Sequence, residues 1–473
     1  MKRLRKKCVA FVAVVFLLSL LLMGRFIAHF VSATVFCPDT EVGDSSKLTV
    51  QRTTVDLASV TEPKPRHSNC TLATCLDIYR CGRHRDSLSV YVYPLQTVLD
   101  CNGTQLTPLW SKEFLQLRSW ILRSRFNEAD PAKACLLMPS IDTLNQNRLL
   151  LSATGKLLAR QKWWNDDGTN HILFNMLSGS VPDYNSTLDV RTARAVVAGA
   201  SYSLLTYRQS FDVAIPVFNP LAANYNASSS SSRRKYKIVA AQPFVHASYK
   251  KILNRLQSGT PKQLLVLDSC INEVKFEVVC DSANTRYWYP QILEEAEFCL
   301  ILEGSRKGQT ALSDALQTGC IPVVLSDDLV MPFSEVLNWK RASIRLYKHQ
   351  LTDVLTILNS ISSQQVESMR AQINFLWPNY FKSMSAIAET TLMIMEDRLF
   401  PHKARQSEWW NGQQQAAAPF FLPRTAPADG FTAVVLSYDR VALLYKVLKS
   451  LADVPSLNKI VVVWNNPSLA PPG

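Results

Sequence analysis

The apolar positions of this chain come in short runs separated by polar turns, and the densest set lies at residues 298–326, FCLILEGSRKGQTALSDALQTGCIPVVLS. Phe298 to Leu302 predicts a buried strand. A polar turn follows, with Gly304, Gly308 and the cations Arg306 and Lys307. From Thr310 to Thr318 apolar positions recur at helical spacing, Ala311 with Ala315 and Leu312 with Leu316. Gly319 supplies a stop, and Ile321 to Leu325 is a second buried strand. Strand, glycine turn, helix and strand make a βαβ unit, which crosses over right-handedly in a parallel sheet. Ligands of such sheets bind beyond the carboxyl ends of the strands, where helix N-termini favour anions. Gly304, Arg306, Lys307 and Gly308 therefore form a candidate diphosphate cradle. Asp314, one turn into the helix, is a candidate acceptor for ribose hydroxyls. The plainer alternative is an ordinary crossover with a solvated basic turn.

The same alternation extends in both directions. Ser87–Leu95 and Ala134–Pro139 predict strands, and Leu117–Arg125 and Leu149–Gln161 predict helices. The tract 163–179, WWNDDGTNHILFNMLSG, reads as a Gly-Thr-Asn-His turn opening a helix. Val190–Ala198 and Asp212–Pro220 carry further strand signals. Five serines, Ser228–Ser232, followed by Arg233, Arg234 and Lys235, mark a surface loop or interdomain linker. A second round begins at Tyr236: strand to Ala241, helix Tyr249–Leu256, strand Leu264–Leu267, helix Tyr289–Ala296. The central unit and a helix-rich stretch, 352–399, complete it. Two α/β halves, about 71–230 and 231–400, predict a GT-B-like pair of doubly wound domains facing across a cleft. Residues 401–430 read as a linker. At Phe431 a new βαβ pattern starts, with helix Val441–Leu451 and strand Lys459–Asn466. The stretch 431–473 is too short for a domain and reads as the start of one.

Charge and cysteines add a compartment. The 473 residues carry 51 Lys and Arg against 38 Asp and Glu, a net charge of +13. Lys2, Arg3, Arg5, Lys6 and Lys7 crowd the cytosolic tail 1–8. Val9–Val31 is apolar enough to cross a bilayer, which takes about 20 residues. Basic residues before it predict a signal anchor with the N-terminus in the cytosol. A cleaved signal peptide ending near Ser32-Ala33-Thr34 is the alternative. Residues 32–70 read as a stem without a core. Sequons at Asn69, Asn102, Asn185 and Asn226 and a total of eleven cysteines agree with a lumen. Close spacing favours Cys70–Cys75 and Cys270–Cys280, and the βαβ unit brings Cys299 to Cys320. Cys81–Cys135 is the remaining pair, although connectivity does not follow from sequence. A zinc site at Cys70, Cys75 and Cys81 is the alternative. The moderately basic body suits an acidic polymer or a nucleotide, and charge alone does not choose. A nucleic-acid partner is not expected.

Seven blocks, in order from about Leu72 onward, resemble the exostosin family in its exostosin-2-type branch. They are LDIYRCG (76–82), ACLLMPSIDTLNQN (134–147), DGTNHILFNML (167–177) and YR…FDVAIPVF (207–218). With them go ALQTGCIPVVL (315–325), MPFSEVLNWKRAS (331–343) and the FTAVVLSYDR…VVVWNN tail. The resemblance implies a single-pass type II membrane protein of the Golgi and endoplasmic reticulum that helps polymerise heparan sulfate. It implies an exostosin-1-type partner subunit and a heparan sulfate acceptor chain. It also implies a family 47 GT-B domain at 71–400 that uses a UDP-sugar donor, assigned to glucuronic acid transfer, with no metal. A GT-A-like family 64 domain, assigned to N-acetylglucosamine transfer, is only begun at 431–473. Mn2+ is expected only for that domain when complete, and the tail carries no Asp-x-Asp motif.

Two further departures concern the donor turn. Where the exostosin-1 type opens with Arg-Gly, this chain has Glu303, whose carboxylate would repel a diphosphate. The family's helix glutamate is Asp314 here. Inverting sugar transfer needs a base for the acceptor hydroxyl and stabilisation of the leaving UDP. Asp166, Asp167 and His171 are the candidate bases, with a turn, a helix cap and a satisfied buried histidine as their plainer readings. Arg306 pairing with Glu303 is the plainer reading of the turn. Arg191, Arg194, Arg208 and the Arg233–Lys235 run are candidate contacts for an acidic chain, and Trp163 and Trp164 for sugar stacking. Two functions remain: an active transferase, or a non-catalytic subunit that stabilises an exostosin-1-type partner.

Overall fold

The computed structural model describes residues 51–468, apart from 83–85, 166, 178–189, 220–224, 226–233, 243–244, 246, 271–276, 304–309, 413–430 and 455–456. The chain divides into two compact units, with the division between Gly412 and Gln413.

The first half of the larger unit carries β1 (Gln51–Thr54), β2 (Val90–Val92), β3 (Gln96–Leu99), β4 (Leu136–Met138), β5 (Ile172–Asn175), β6 (Val196–Gly199) and β7 (Val213–Ala214). β1 pairs with β3 in parallel. β2 pairs with β4, and β5, β6 and β7 form a trio, again all parallel. A single parallel bridge from Leu137 to His171 links the pair to the trio. β4, β5 and β6 are buried at every position, as parallel strands covered on both faces must be. The expected helix after His171 is therefore β5. Its four buried residues take their partners from β6, and a run this short cannot be assigned by periodicity.

The second half carries β8 (Tyr236–Ala240), β9 (Leu264–Val266), β10 (Asp268–Ser269), β11 (Val278–Cys280), β12 (Arg286–Trp288), β13 (Ala296–Leu302), β14 (Ile321–Leu325) and β15 (Ile344–Leu346). Its main sheet is parallel in the order β15-β14-β13-β8-β9. The helix Thr310–Gln317 connects β13 to β14, and Gly319 ends it with a φ of +64°. The helix expected over 289–296 is only a 3-10 turn, Gln291–Glu295, because Ala296 already pairs with Tyr236 as the first residue of β13. β10, β11 and β12 form an antiparallel flap closed by Cys270–Cys280.

Bridges also join Cys70 to Cys75, Cys81 to Cys135 and Cys299 to Cys320. The zinc alternative at Cys70, Cys75 and Cys81 falls with them, since a sulfur in a disulfide has no thiolate to give a metal. His67 lies close to Cys70 and Cys75, and the same bridge disqualifies that trio. The helix Lys112–Arg123 starts earlier than periodicity places it, because the Ser111 hydroxyl accepts from Phe114 N at 3.2 Å. The closing helix Met384–Leu399 returns to pack on Lys112–Arg123 in the first half.

The deepest polar feature of this unit is Asp212, fully buried at the start of β7. Arg208 donates to it from Nε at 2.8 Å and Nη2 at 2.6 Å, Val197 N donates at 2.9 Å, and Arg66 forms an ion pair with it. Arg208 is thus structural, and its expected role on an acidic chain is withdrawn. Arg398 of the closing helix donates to the backbone oxygens of Phe211 and Asp212 at 2.9 and 2.8 Å. Arg234 is structural too: it donates to Leu293 O, Ala296 O and Thr318 O. Lys235 lies over the ring of Tyr236.

The smaller unit is a βαβ of β16 (Phe431–Ser437), helix Val441–Ala452 and β17 (Leu457–Trp464), with the strands parallel. The expected anchor at 9–31 lies outside the described residues. Among those described, no helix is long and apolar enough to cross a membrane.

Replacing Asp212 strands the buried guanidinium of Arg208 and the part-buried one of Arg66. Asp212→Ala is expected to lower unfolding stability by about 3–5 kcal/mol, read as a shifted urea midpoint. A change within about 0.5 kcal/mol would show that the cluster is not a stabilising centre.

Candidate functional site

The carboxyl ends of β8, β9 and β13 surround a cavity of about 200 Å³, lined by Gln242, Lys250, Asn254, Val266, Asp268, Asn284 and Leu302 among others. Its floor is rigid. Gln242 Nε2 donates to Leu302 O at 2.9 Å, and Leu302 N donates to Gln242 Oε1 at 2.7 Å. These two bonds tie the end of β13 to the residues following β8. Lys250 and Asp268 pair across the rim. Amides and charged groups of both kinds over an apolar base suit a flat polar ligand.

Beside this cavity Glu303 follows β13 and is buried. It accepts from Ser326 Oγ at 2.6 Å and pairs with Lys348 Nζ at 2.7 Å. Burial acts to lower the Lys348 pKa, but the hydrogen bond and charge of Glu303 outweigh it and hold the ammonium above its ordinary range. Lys348, in the turn after β15, was missed by sequence reasoning. Nothing near it in the chain marks it, because its acidic partner Glu303 follows a different strand, β13. Gly304, Arg306, Lys307 and Gly308 lie outside the described residues, and so does the alternative pairing of Arg306 with Glu303.

Asp314 is buried in the helix Thr310–Gln317. Its carboxylate accepts from Tyr289 OH at 2.6 Å and from Asn219 Nδ2 at 3.1 and 3.2 Å. Burial pushes its pKa up to about 6, against the lowering effect of these two donors. Ser313 Oγ donates to Val217 O at 2.9 Å and Gln317 Nε2 to Tyr225 O at 2.7 Å. Three residues of one helix thus fasten the segment that leaves the first half. A ribose would have to displace Tyr289 or Asn219 to reach Asp314.

The candidate bases sit elsewhere, before β5 and not at the opening of a helix. Asp166 lies outside the described residues. Asp167 caps its own turn, accepting from Thr169 N at 3.0 Å and Thr169 Oγ1 at 2.7 Å, and pairs with Arg194 at 3.4 Å. His171 is buried, with Nδ1 3.2 Å from Thr169 O and Nε2 3.0 Å from Tyr93 OH. A carbonyl only accepts, so the proton sits on Nδ1 and Nε2 accepts from Tyr93. Burial drives its pKa down to about 4. A histidine with both nitrogens engaged and no solvent exposure has no path to an acceptor hydroxyl, which corrects the expectation for His171. Trp164 is buried beside it, and Gly168 is required there because a Cβ would come within 2.7 Å of the indole. Arg191 meets Glu62 at 3.4 Å on the surface. Asn69 and Asn102 are exposed, while Asn185 and Asn226 lie outside the described residues.

Parallel sheets with a polar cavity at their carboxyl ends define a mixed α/β fold. The family model described as the Exostosin GT47 domain matches residues 84–361, and that of the Glycosyl transferase family 64 domain matches 431–472. The chain belongs to the exostosin GT47 family. It is 42% identical to Exostosin-2 of Mus musculus over 87% of this chain and 58% of that protein. It is 31% identical to Exostosin-1 of Drosophila melanogaster over 84% of this chain and 57% of that protein. The chain therefore spans somewhat over half the length of these relatives. Among solved structures, "Crystal structure of GtfA/B complex" aligns with 64% of this chain and 67% of that chain, at 11% identity and a TM-score of 0.31.

Asp314 and His171 give opposite pH dependences. The raised pKa of Asp314 makes a contribution that is full below the ordinary 3.8 and is lost as pH rises through about 6. The lowered pKa of His171 makes one that is full above the ordinary 6.5 and is lost as pH falls toward 4. Asp314→Asn is expected to steepen the loss of stability from pH 6.5 down to 4.5, and His171→Asn to reverse it. Urea midpoints across that window measure both, and parallel curves for all three proteins would refute the assignment.

Proposed function

We propose that this chain is a UDP-sugar-dependent glycosyltransferase subunit of a heparan sulfate polymerase, working with an exostosin-1-type partner. Its two α/β halves form a GT-B-like pair, and the donor binds on the second. The observation that carries this reading is the polar cavity beyond β8, β9 and β13, in a chain of the exostosin GT47 family. The uracil and ribose fit against Gln242 and the rim, and Arg306 and Lys307 meet the diphosphate. The stretch 431–473 opens a family 64 domain. Residues 431–473 carry no Asp-x-Asp pair to hold the Mn2+ such a domain implies. An anchor at 9–31 holds the protein in Golgi and endoplasmic reticulum membranes as a type II protein with its bulk in the lumen, glycosylated at Asn69, Asn102, Asn185 and Asn226.

A second reading has a specific observation behind it. Glu303 is a buried carboxylate beside the expected diphosphate, already neutralised by Lys348. This pairing favours a subunit that stabilises an exostosin-1-type catalytic chain without transferring sugar itself.

Titrating the purified protein with UDP in a calorimeter separates the two. Micromolar binding, abolished by Arg306→Ala, is the result expected of a donor site and would justify an assay of glucuronic acid transfer. A folded, monodisperse protein that binds no UDP leaves the partner-subunit role.

A further inference from the structure

We propose that the open face of the β16–β17 sheet is a contact surface for a second copy of this chain. The two copies stack the same face in an antiparallel two-fold pair.

Strand register defines the face. Thr432 lies opposite Lys459, Val434 opposite Val461 and Leu436 opposite Val463, and residues paired across parallel strands share a side of the sheet. Exposure along β16 alternates in step. Thr432, Val434 and Leu436 are exposed, while Ala433, Val435 and Ser437 are half-buried. The half-buried side belongs to helix Val441–Ala452, which packs on both strands and buries Leu444. The opposite side has no cover among the described residues. Val434 is 61% exposed there, Leu436 71%, Val461 36% and Val463 41%. Two adjacent cross-strand pairs of aliphatic side chains thus form one continuous apolar patch. Parallel sheets ordinarily bury both faces, and a continuous exposed apolar patch marks a contact surface.

Area and charge both favour a second copy as the occupant. With Thr432 and Lys459 included, the face offers roughly 500 Å² per copy, so a pair buries on the order of 1,000 Å², the size of a weak specific interface. Lys459 is the only charged residue of the two strands, and it sits at the start of the exposed row. Asp439 lies just past the far end of β16, and it is exposed. Neither residue forms an ion pair among the described residues. Arg440, beside Asp439, is the N-cap residue of the helix on the other side. A two-fold axis across the strands lays the start of one sheet over the end of the other. Lys459 of each copy then approaches Asp439 of the other, and an isologous contact makes both pairs at once. The apolar rows meet between them, as sheets do when they pack face to face. An anionic lipid or polysaccharide is a poor occupant, because the middle of the patch carries no cation.

The test is sedimentation equilibrium of the purified full chain in a density-matched detergent, with thermal unfolding checked for every variant. The wild type is expected to dimerise with a Kd on the order of 10 μM, as suits an interface of this size. Leu436→Lys puts a charge into the apolar contact and is expected to raise the Kd at least about tenfold. Leu443→Lys, at an exposed position of the helix on the other side, is expected to change it by no more than about twofold. Lys459→Glu leaves the apolar row intact, so it covers the case in which a lysine at 436 disturbs the strand. It is expected to weaken the dimer about threefold, and Asp439→Lys in the same chain to restore it. A wild type that stays monomeric, or a dimer unchanged by Leu436→Lys and Lys459→Glu, overturns the proposal. A charge swap that fails to restore a dimer weakened by Lys459→Glu overturns the antiparallel arrangement.

Discussion

A carboxylate with no access to water must be paired, and Asp212 meets that requirement by drawing in groups from across the larger unit. Two guanidinium groups and a backbone amide converge on it, from residues 66, 208 and 197. The same Arg208 donates to His67 O at 3.1 Å and Ala195 O at 2.6 Å. The segment before the first half is thereby fixed against the edge of its sheet. Arg398 adds the closing helix, and its pairing with Glu335 adds the second half. An unpaired charge here would cost several kcal/mol, so these segments are held together as a set.

The second half solves a different problem. β14, β13 and β8 are hydrogen-bonded on both sides within its five-stranded parallel sheet, so the carboxyl ends of the strands are the place where backbone order gives way to side chains. Gln242 closes the gap between β8 and β13 there, and the cavity lies directly beyond. Glu303 extends the same edge with a negative charge that Lys348 answers. The result is a pocket with polar edges, where Lys250 stands against Asp268 and Asp281.

The helix Thr310–Gln317 connects these two regions. Ser313, Asp314 and Gln317 each hold a residue of the segment that leaves the first half, so the helix Thr310–Gln317 also sets where the first half ends. Asp314 shows how a short acidic side chain can be turned from ligand contact to internal fastener, since Tyr289 and Asn219 saturate it. Arg234 donates to Thr318 O just past the other end of this helix, where a cation meets the negative pole of the helix dipole.

Much of the fold was legible in the amino-acid order. Buried parallel strands need unbroken apolar runs, so β4, β8, β9, β13 and β14 could be placed nearly to the residue, and Gly319 marked a helix end. The family was legible too, because ordered blocks of specific residues carry more information than periodicity. Short runs are not: the three apolar residues that open β5 fit either period, and only pairing with β6 decides for a strand. The site was the least legible part. Whether a charged residue serves a ligand or the protein depends on partners far away in sequence, as with Lys348 for Glu303 and Tyr289 and Asn219 for Asp314. Local pattern sets which elements form, because hydrogen bonding and burial are local in period. Tertiary packing alone decided which titratable groups are spent on the fold, because desolvation and pairing are set by whatever the fold brings alongside.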